Sequence, residues 1–242
     1  GTGSEATKNS VISSREPAFK KSLRSDRMVP RVVLIDPYLT TFAPANVTAW
    51  SGLDAITQLI ESFLSKKAAP IPQALALEGL AKAVPSLLPA IRDPQCRWAR
   101  ENLAHAAYLS GLALANSGLG LAHGVAAALG AVCGTPHGLA CAVMLPVALR
   151  FNRETKLAEL AKLAPVVVGP REYSSNAEAA DAVIEAVENL CRDARIPRSL
   201  SELGVKPSQL DALVEGSQGN SLSGNPRAIS PSELRDLLEK LL

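Results

Sequence analysis

The chain has 242 residues, a mass of 25.4 kDa and a formal net charge of +2, with 47% hydrophobic and 20% charged residues. This composition excludes a disordered or collagen-like chain, and the length allows one large or two small domains without support from disulfides. The small net charge does not indicate binding to nucleic acid or to a membrane surface. Aromatic residues make up only 4%. Because Ala and Leu dominate the apolar content and favour helices, we expect closely packed helices.

The four cysteines and the longest apolar stretch both indicate a buried core. No two of the cysteines have the C-x-x-C spacing. We therefore interpret all four as reduced core thiols of a cytoplasmic protein: Cys96, Cys133, Cys141 and Cys191. The apolar stretch 118–151 is interrupted by G-T-P-H-G, which leaves two pieces too short to cross a membrane. We therefore predict that this stretch is buried core.

Residues 1–36 differ in character from the rest of the chain. Residues 11–14 and 31–36 are rich in β-branched side chains and are bounded by polar turns, which predicts two short strands. Basic residues recur from Lys20 to the start of the second predicted strand, at Lys20, Lys21, Arg24, Arg27 and Arg31. Two interpretations remain open for this basic run: a solvated hairpin, or a surface that contacts a phosphate group.

From Pro44 onward the pattern is helical, and the boundary falls near Asp36-Pro37. Apolar residues recur at intervals of three and four, which predicts a series of helices separated by Gly, Asn and Pro. Pro85 and Pro89 should bend or break the second of them. Ser230, Pro231 and Glu233 predict a capping box at the start of the last helix, and residues 216–225 predict a polar loop. The main helices are expected at 46–65, 72–91, 98–115, 120–131, 138–151 and 177–194.

Five residues are candidates for chemistry in the helical body. Asp54, Gln58 and Glu61 are spaced by four and three, so they share one stripe of a helix, either solvated or lining a site. His123 and His137 lie in the most apolar part of the chain, where each imidazole is expected to be neutral and to need a partner. Two neutral histidines and a carboxylate suit zinc or ferrous iron, although core histidines with a structural role explain the same pattern.

The first seven residues, G-T-G-S-E-A-T, form a second candidate site. Glycines let a backbone approach a ligand closely, and hydroxyl and N–H groups are donors for phosphate or ribose oxygens. The segment matches neither the P-loop nor the dinucleotide-binding glycine pattern. A plain turn therefore remains an alternative.

Several motifs occur in a fixed order and together resemble one family, the iron-containing (group III) alcohol dehydrogenases, which are relatives of dehydroquinate synthase. The resemblance runs nearly from end to end, and several ordered motifs are far more specific than any one of them. The motifs are G-T-G-S-E-A-T at 1–7, V-P-R-V-V-L-I-D-P at 29–37, S-G-L-D-A-I-T-Q at 51–58, G-L-G-L-A-H-G at 118–124, P-H-G at 136–138 and G-N-P-R at 224–227.

The resemblance implies a mainly α fold, the helical-bundle C-terminal domain of the dehydroquinate synthase-like fold with a short β-hairpin lead-in. In this family an N-terminal α/β domain with a Gly-Gly-Gly-Ser loop binds NAD(P), and a helical domain holds the metal. Residues 1–36 are expected to be a remnant of the first domain, and residues 37–242 the metal and substrate domain. Because most of the cofactor domain is lacking, we expect little or no turnover from the chain as given.

The resemblance also implies a ligand set. Asp54, His123 and His137 match three of the family's four metal ligands, and Gln58 stands where the fourth, a histidine, is expected. Because a glutamine carbonyl is a weaker donor than imidazole, metal affinity should be reduced. A further family histidine, associated with proton handling, corresponds to Ala127 here.

The cofactor residues are likewise implied by the resemblance. Thr2, Ser4 and Thr7 are expected along the phosphate and nicotinamide side of NAD or NADP, and Lys20 at its ribose. The implied metal is Fe²⁺ or Zn²⁺, and the implied assembly is a cytoplasmic homodimer that binds neither nucleic acid nor membrane.

The implied reaction is hydride transfer between a small alcohol and the nicotinamide, with the metal as Lewis acid. Two alternatives stay open. In a metal-independent branch resembling maleylacetate reductases, Gln58 and His137 would act as the catalytic residues and hydrogen-bond the substrate carbonyl oxygen. In the other, the chain is a non-catalytic, truncated helical module.

Overall fold

The fold is mainly helical and begins with a β-hairpin, as predicted. The computed structural model describes residues 3–16 and 18–242, with the backbone alone at 13, 15 and 18–21. Within that part the strands are β1 (Asn9–Arg15) and β2 (Ala18–Arg24), and the helices are α1 (Ala45–Leu64), α2 (Pro70–Arg92), α3 (Arg97–Ala115), α4 (Leu121–Val132), α5 (His137–Asn152), α6 (Leu157–Val167), α7 (Asn176–Asp193), α8 (Leu210–Ser217), α9 (Asn220–Ser223) and α10 (Pro231–Glu239).

Helix α1 is the central helix of the body. It packs against α2, α3 and α5, and every residue from Gly52 to Leu64 is buried. A helix that is apolar on all sides is expected in the core of a larger domain, and α1 fits that description apart from its polar stripe. Asp54, Gln58 and Glu61 therefore lie inside the protein and do not form a solvated face.

The start of α5 lies unusually close to α1. A Cβ atom at Gly138 would lie 2.5 Å from the backbone oxygen of Trp50, so no other residue fits without moving one of the two helices. Helix α5 also packs against α4, and α4 packs against α8. This arrangement brings the first turns of α4 and α5 to the middle of α1, where the polar stripe lies.

The N-terminal segment lies directly on α3. Gly3 has φ +71°, and a Cβ on it would lie 2.0 Å from the backbone oxygen of Ala107. A Cβ at Gly111 would lie 2.0 Å from the oxygen of Gly3. After this contact the chain forms an antiparallel hairpin in which Ser10 pairs with Leu23 and Asn9 with Arg24. Lys20, Lys21 and Arg24 therefore belong to the second strand of a hairpin, which is compatible with both interpretations of the basic run.

The contact with α3 leads to a first prediction. Gly111→Ala should displace the segment that begins at Gly3, because the new methyl group would overlap a backbone oxygen that cannot rotate away. We expect the hairpin of the variant to be cut much faster in limited trypsin digestion while the helical body stays intact. Ser110→Ala, which removes a buried hydroxyl on the same helix and adds no volume, is the control. Equal cutting rates for wild type and Gly111→Ala would contradict the prediction.

Two of the predicted elements are wrong. Residues 31–36 form no strand, and Val32 and Leu34 are 84% and 93% exposed. A strand needs a partner for its backbone hydrogen bonds, and no other strand in the described part of the chain lies beside this segment. Residues 216–225, predicted as a loop, contain the end of α8 and the short helix α9.

Helix α2 continues through both of its internal prolines, so of the predicted bend or break at Pro85 and Pro89 the break does not occur. Each proline removes one backbone hydrogen bond, but Ala83, Leu87 and Ala90 are fully buried on the same helix and anchor it to the core. By length and composition α2 is also the one described helix that could cross a membrane, a weak criterion that core helices of globular proteins also meet.

Half of the predicted capping box at α10 is present. The Ser230 hydroxyl accepts a hydrogen bond from the Glu233 backbone N–H at 3.1 Å, while the Glu233 carboxylate pairs with Arg227. Ser230→Ala should lower the free energy of unfolding by about 1 kcal/mol because this N–H loses its partner. Urea unfolding measures the change, and Ser232→Ala inside the same helix should change it by less than about 0.5 kcal/mol. Equal effects of the two variants would refute a capping role.

Candidate metal centre

Four side chains from three helices converge beside the polar stripe of α1. The ligand atoms of Asp54 on α1, His123 on α4, and His137 and Cys141 on α5 lie within 4.8 Å of one another. His123 Nε2 is 3.2 Å and His137 Nε2 is 4.0 Å from Asp54 Oδ1. The three residues matched to metal ligands by sequence are thus adjacent in space, although 69 positions separate Asp54 from His123.

Gln58, which stands where a histidine ligand is expected, lies one helical turn after Asp54 on α1. It is 5% exposed and lines the same cavity as His123 and His137. Cys141 lies one turn after His137 on α5, fully buried, with Sγ 3.7 Å from His137 Nε2. Cys141, expected from the sequence to be a core thiol, is therefore part of the site.

Glu61 connects the centre to the start of α4. Its Oε1 accepts the backbone N–H of Ala122 at 2.7 Å, and its Oε2 accepts the backbone N–H of His123 at 3.3 Å and the ring Nδ1–H at 2.7 Å. A carboxylate at a helix N-terminus is favoured by the unpaired N–H groups and by the helix dipole. With Nδ1 as donor to Glu61, Nε2 of His123 is directed toward Asp54, which is how outer carboxylates orient histidine ligands.

Asn225 of the G-N-P-R motif completes the cap on α4. Its Oδ1 accepts the backbone N–H of Leu121 at 3.0 Å, and its side chain exchanges two hydrogen bonds of 2.9 Å with Asn152. A Cβ at Gly120 would lie 2.8 Å from Asn225 Oδ1 and 2.9 Å from Glu61 Oε1. Gly120 is therefore the residue that lets both caps reach the first three N–H groups of α4.

The charges at the centre differ from the expectation of two neutral, buried histidines. Burial opposes a charge on His123, but the hydrogen bonds to Asp54 and Glu61 outweigh it and raise the pKa of His123 well above its usual value. Burial would likewise raise the pKa of Asp54, but hydrogen bonding and charge from His123 hold it below its usual value. The two carboxylates therefore favour the protonated form of His123 when no cation is bound at the centre. His137 is 39% exposed.

The residues present fit a divalent cation. Asp54 Oδ2 is buried and makes no hydrogen bond with any described residue, and a buried carboxylate oxygen without a donor is costly unless a cation binds it. Carboxylate and imidazole are common zinc and iron ligands. Burial raises the pKa of the Cys141 thiol to about 12, so without a cation it is neutral.

A cavity of about 470 Å³ opens beside the centre. It extends from His123 and His137 to the hairpin, past apolar side chains such as Leu114, Leu119 and Ala127. Three basic residues, Lys8, Arg24 and Lys67, also line it. The cavity thus combines a metal-ligand cluster with positively charged side chains, which suits a ligand that carries anionic groups besides its reactive part.

The predicted cofactor residues are only partly described. Ser4 and Thr7 line the cavity, but the Thr7 hydroxyl donates to the backbone oxygen of Ser4 at 2.9 Å and helps to hold the turn. Thr2 lies outside the described residues, and so does the side chain of Lys20. Arg24, for which contact with a phosphate group was one of the two interpretations, lines the same cavity, as does Lys8, which was not predicted.

Three residues contribute to the centre in ways that were not predicted, although each left a signal in the sequence. Cys141 follows His137 by four residues, the spacing of neighbours on one helix face. Glu61 was a candidate because it shares the stripe of Asp54, but its role as cap of α4 was not foreseen. Asn225 belongs to the G-N-P-R motif, but its contact with α4 joins residues 104 positions apart and is not readable from spacing.

Comparisons with known proteins identify the family to which the chain is similar. The family model "Fe-containing alcohol dehydrogenase family, C-terminal" matches residues 48–242. The 1,3-propanediol dehydrogenase of Citrobacter freundii is 34% identical over 99% of the chain, and the NAD-dependent methanol dehydrogenase of Bacillus methanolicus is 30% identical over all of it. The crystal structure of a 1,3-propanediol oxidoreductase superimposes with a TM-score of 0.95 at 32% identity, over 100% of this chain.

The comparisons also show what part of these proteins the chain represents. It spans 62% of the C. freundii dehydrogenase, 64% of the B. methanolicus enzyme and 64% of the crystallised oxidoreductase chain. The family model, the C-terminal one of its family, covers nearly all of the helical body. The resemblance inferred from the ordered motifs is confirmed, as is the predicted fold: the chain belongs to the iron-containing alcohol dehydrogenase family, of which it contains the C-terminal part.

Proposed function

We propose that this chain is the metal- and substrate-binding part of an NAD(P)-dependent alcohol dehydrogenase that interconverts a small alcohol and its aldehyde or ketone. The observation that carries the proposal is the convergence of Asp54, His123 and His137, because the two histidines line a cavity that basic side chains also line. An alcohol or carbonyl group fits beside the histidines, and the phosphates of a dinucleotide fit beside the basic side chains. The whole reaction needs more of the protein than this chain contains.

Asp54, His123 and His137 would hold the divalent cation, which when bound supplies a Lewis acid for an alcohol or carbonyl oxygen. The remaining functions belong to side chains of this chain. Glu61 keeps the His123 ring in one tautomer and orientation through its contact with Nδ1. Leu114, Leu119 and Ala127 line the cavity beside the histidines with apolar surface, which favours exclusion of water from the reacting groups.

The cofactor would bind beside the basic side chains of the cavity. Lys8 and Arg24 are carried by the hairpin and Lys67 by the segment after α1, and cations in these positions suit the pyrophosphate of NAD or NADP. Ser4 and Thr7, with Thr2 and Lys20 as implied by the family resemblance, would contact the same molecule. We accordingly assign residues 1–36 to the cofactor-binding part and 37–242 to the metal and substrate domain. We further propose a cytoplasmic homodimer that binds neither nucleic acid nor membrane.

The metal-independent alternative uses the same cavity differently. There Gln58 and His137 would donate hydrogen bonds to a carbonyl oxygen, and Asp54 would have no cation to bind. The buried Asp54 Oδ2, which makes no hydrogen bond with a described residue, favours the metal-assisted reaction. The non-catalytic alternative predicts no specific ligand in the cavity.

Metal content per chain tests the proposal. The protein is loaded anaerobically with zinc or ferrous iron, freed of unbound metal and measured by elemental analysis. We expect close to one cation per chain in wild type and in Asp236→Asn, an exposed aspartate on α10, but none in Asp54→Asn. The amide keeps the size of the carboxylate and removes its charge. No bound cation in wild type would overturn the metal-assisted reaction and favour the alternatives.

A further inference from the structure

The centre contains a side chain that can take the place of the histidine ligand expected where this chain has Gln58. We propose that Cys141 is the fourth protein ligand, so that the bound cation is held by Asp54, His123, His137 and the Cys141 thiolate. This inference rests on the proposed metal-binding function and specifies its ligand set. It also predicts that the site prefers zinc to ferrous iron, because a thiolate ligand favours zinc.

The distances carry the proposal. Tetrahedral zinc with bonds of about 2.0–2.3 Å requires ligand atoms about 3.3–3.8 Å apart. Observed separations are 3.2 Å between Asp54 and His123, 4.0 Å between Asp54 and His137, and 3.7 Å between His137 and Cys141. Since all four ligand atoms lie within 4.8 Å of one another, small side-chain rotations complete the site.

The buried carboxylate provides a second, independent observation. Asp54 is 0% exposed, and its Oδ2 has no donor in the described part of the chain, although it lies in the same cluster as the thiol. A buried oxygen of this kind indicates a bound cation. With Asp54 and Cys141 both anionic, two negative charges balance a divalent ion in a site sheltered from water, whereas a glutamine oxygen adds no charge.

The chemistry of binding is balanced without another reactant. As the cation binds, the sulfur–metal bond forms and the thiol proton of Cys141 leaves to water. His123 binds the cation through Nε2 and keeps the Nδ1–H that Glu61 accepts. Metal binding at this centre is therefore coupled to the release of the thiol proton.

Cobalt substitution tests the ligand set without reference to enzyme activity. The full 242-residue chain is loaded anaerobically with Co²⁺, and its absorption spectrum and bound cobalt are recorded. We expect a near-ultraviolet thiolate-to-cobalt charge-transfer band in wild type and in Gln58→Ala. Cys141→Ser should lose the band and bind zinc at least 100-fold more weakly, and Cys191→Ser, another buried thiol, should keep both.

X-ray absorption at the zinc edge provides a second measurement, in which wild type should show a zinc–sulfur distance of about 2.3 Å that Cys141→Ser lacks. Circular dichroism of the metal-free variants establishes that they fold. Bound cobalt without the charge-transfer band in wild type would overturn the assignment of Cys141 and leave the metal site standing. A protein that binds no cobalt at all would overturn the metal site as well, so the two failures are distinguishable.

Discussion

Glu61→Ala is expected to lower the free energy of unfolding by about 3–5 kcal/mol, the usual cost of removing one partner from a buried ion pair. The carboxylate is 6% and the His123 side chain 4% exposed, and Nδ1 and Oε2 are 2.7 Å apart. Alanine would leave the protonated ring with one fewer acceptor and two N–H groups of α4 without a partner. Guanidinium unfolding of the metal-free protein measures the loss.

Two variants separate the charge of Glu61 from its role as hydrogen-bond acceptor. Glu61→Gln keeps one oxygen acceptor at the start of α4 and should cost clearly less than alanine. Glu185→Ala, at an exposed position on α7, should change the free energy of unfolding by less than about 0.5 kcal/mol. If Glu61→Ala unfolded at the same denaturant concentration as wild type, the proposed stabilisation of the start of α4 by the Glu61 carboxylate would be refuted.

The second large effect is expected at the pair of asparagines behind the centre. Asn225 and Asn152 are 1% and 4% exposed and exchange two hydrogen bonds, and Asn225 also caps Leu121. Asn225→Ala should lower the free energy of unfolding by about 3 kcal/mol, because buried donors and acceptors that lose their partners cost about 1–3 kcal/mol each. Chemical denaturation of the single and double variants measures the effect.

A double-mutant cycle identifies how much of this effect comes from the pair itself. If the two side chains act together, the double variant should be more stable than the sum of the single effects predicts, by about 1–2 kcal/mol. Asn102→Ala, which removes a half-buried contact with Ser86 elsewhere in the protein, should add independently to either single variant. Strict additivity of Asn152→Ala and Asn225→Ala would contradict a coupled pair.

The helical body was predictable because its signals are local. Caps, breakers and apolar spacing act within a few turns, so the helices α1, α3, α4, α5 and α7 begin and end within a residue or two of the expected positions. Residues 31–36 show the limit of such signals. Their β-branched side chains favour a strand, but a strand also needs a neighbour, and composition carries no information about whether one exists.

The ligand types were also readable from the chain. Asp54, His123 and His137 stood out because polar, metal-ligating side chains occur there in apolar surroundings. The charge state of His123 was not readable, since it depends on the two carboxylates around the ring. Those neighbours reach His123 only through the packing of α1 and α4.

The sequence by itself determined the family, the helical class and three of the candidate ligands, because ordered motifs and helical spacing are properties of the chain. Only the tertiary structure decided which further groups meet them. The close approach of α5 to α1 at Gly138 and the double cap on α4 at Gly120 place Cys141, Glu61 and Asp54 around two histidines. Contacts across 60 or more positions, such as the 61 between Glu61 and Ala122, depend on helix packing, which residue spacing along the chain does not encode.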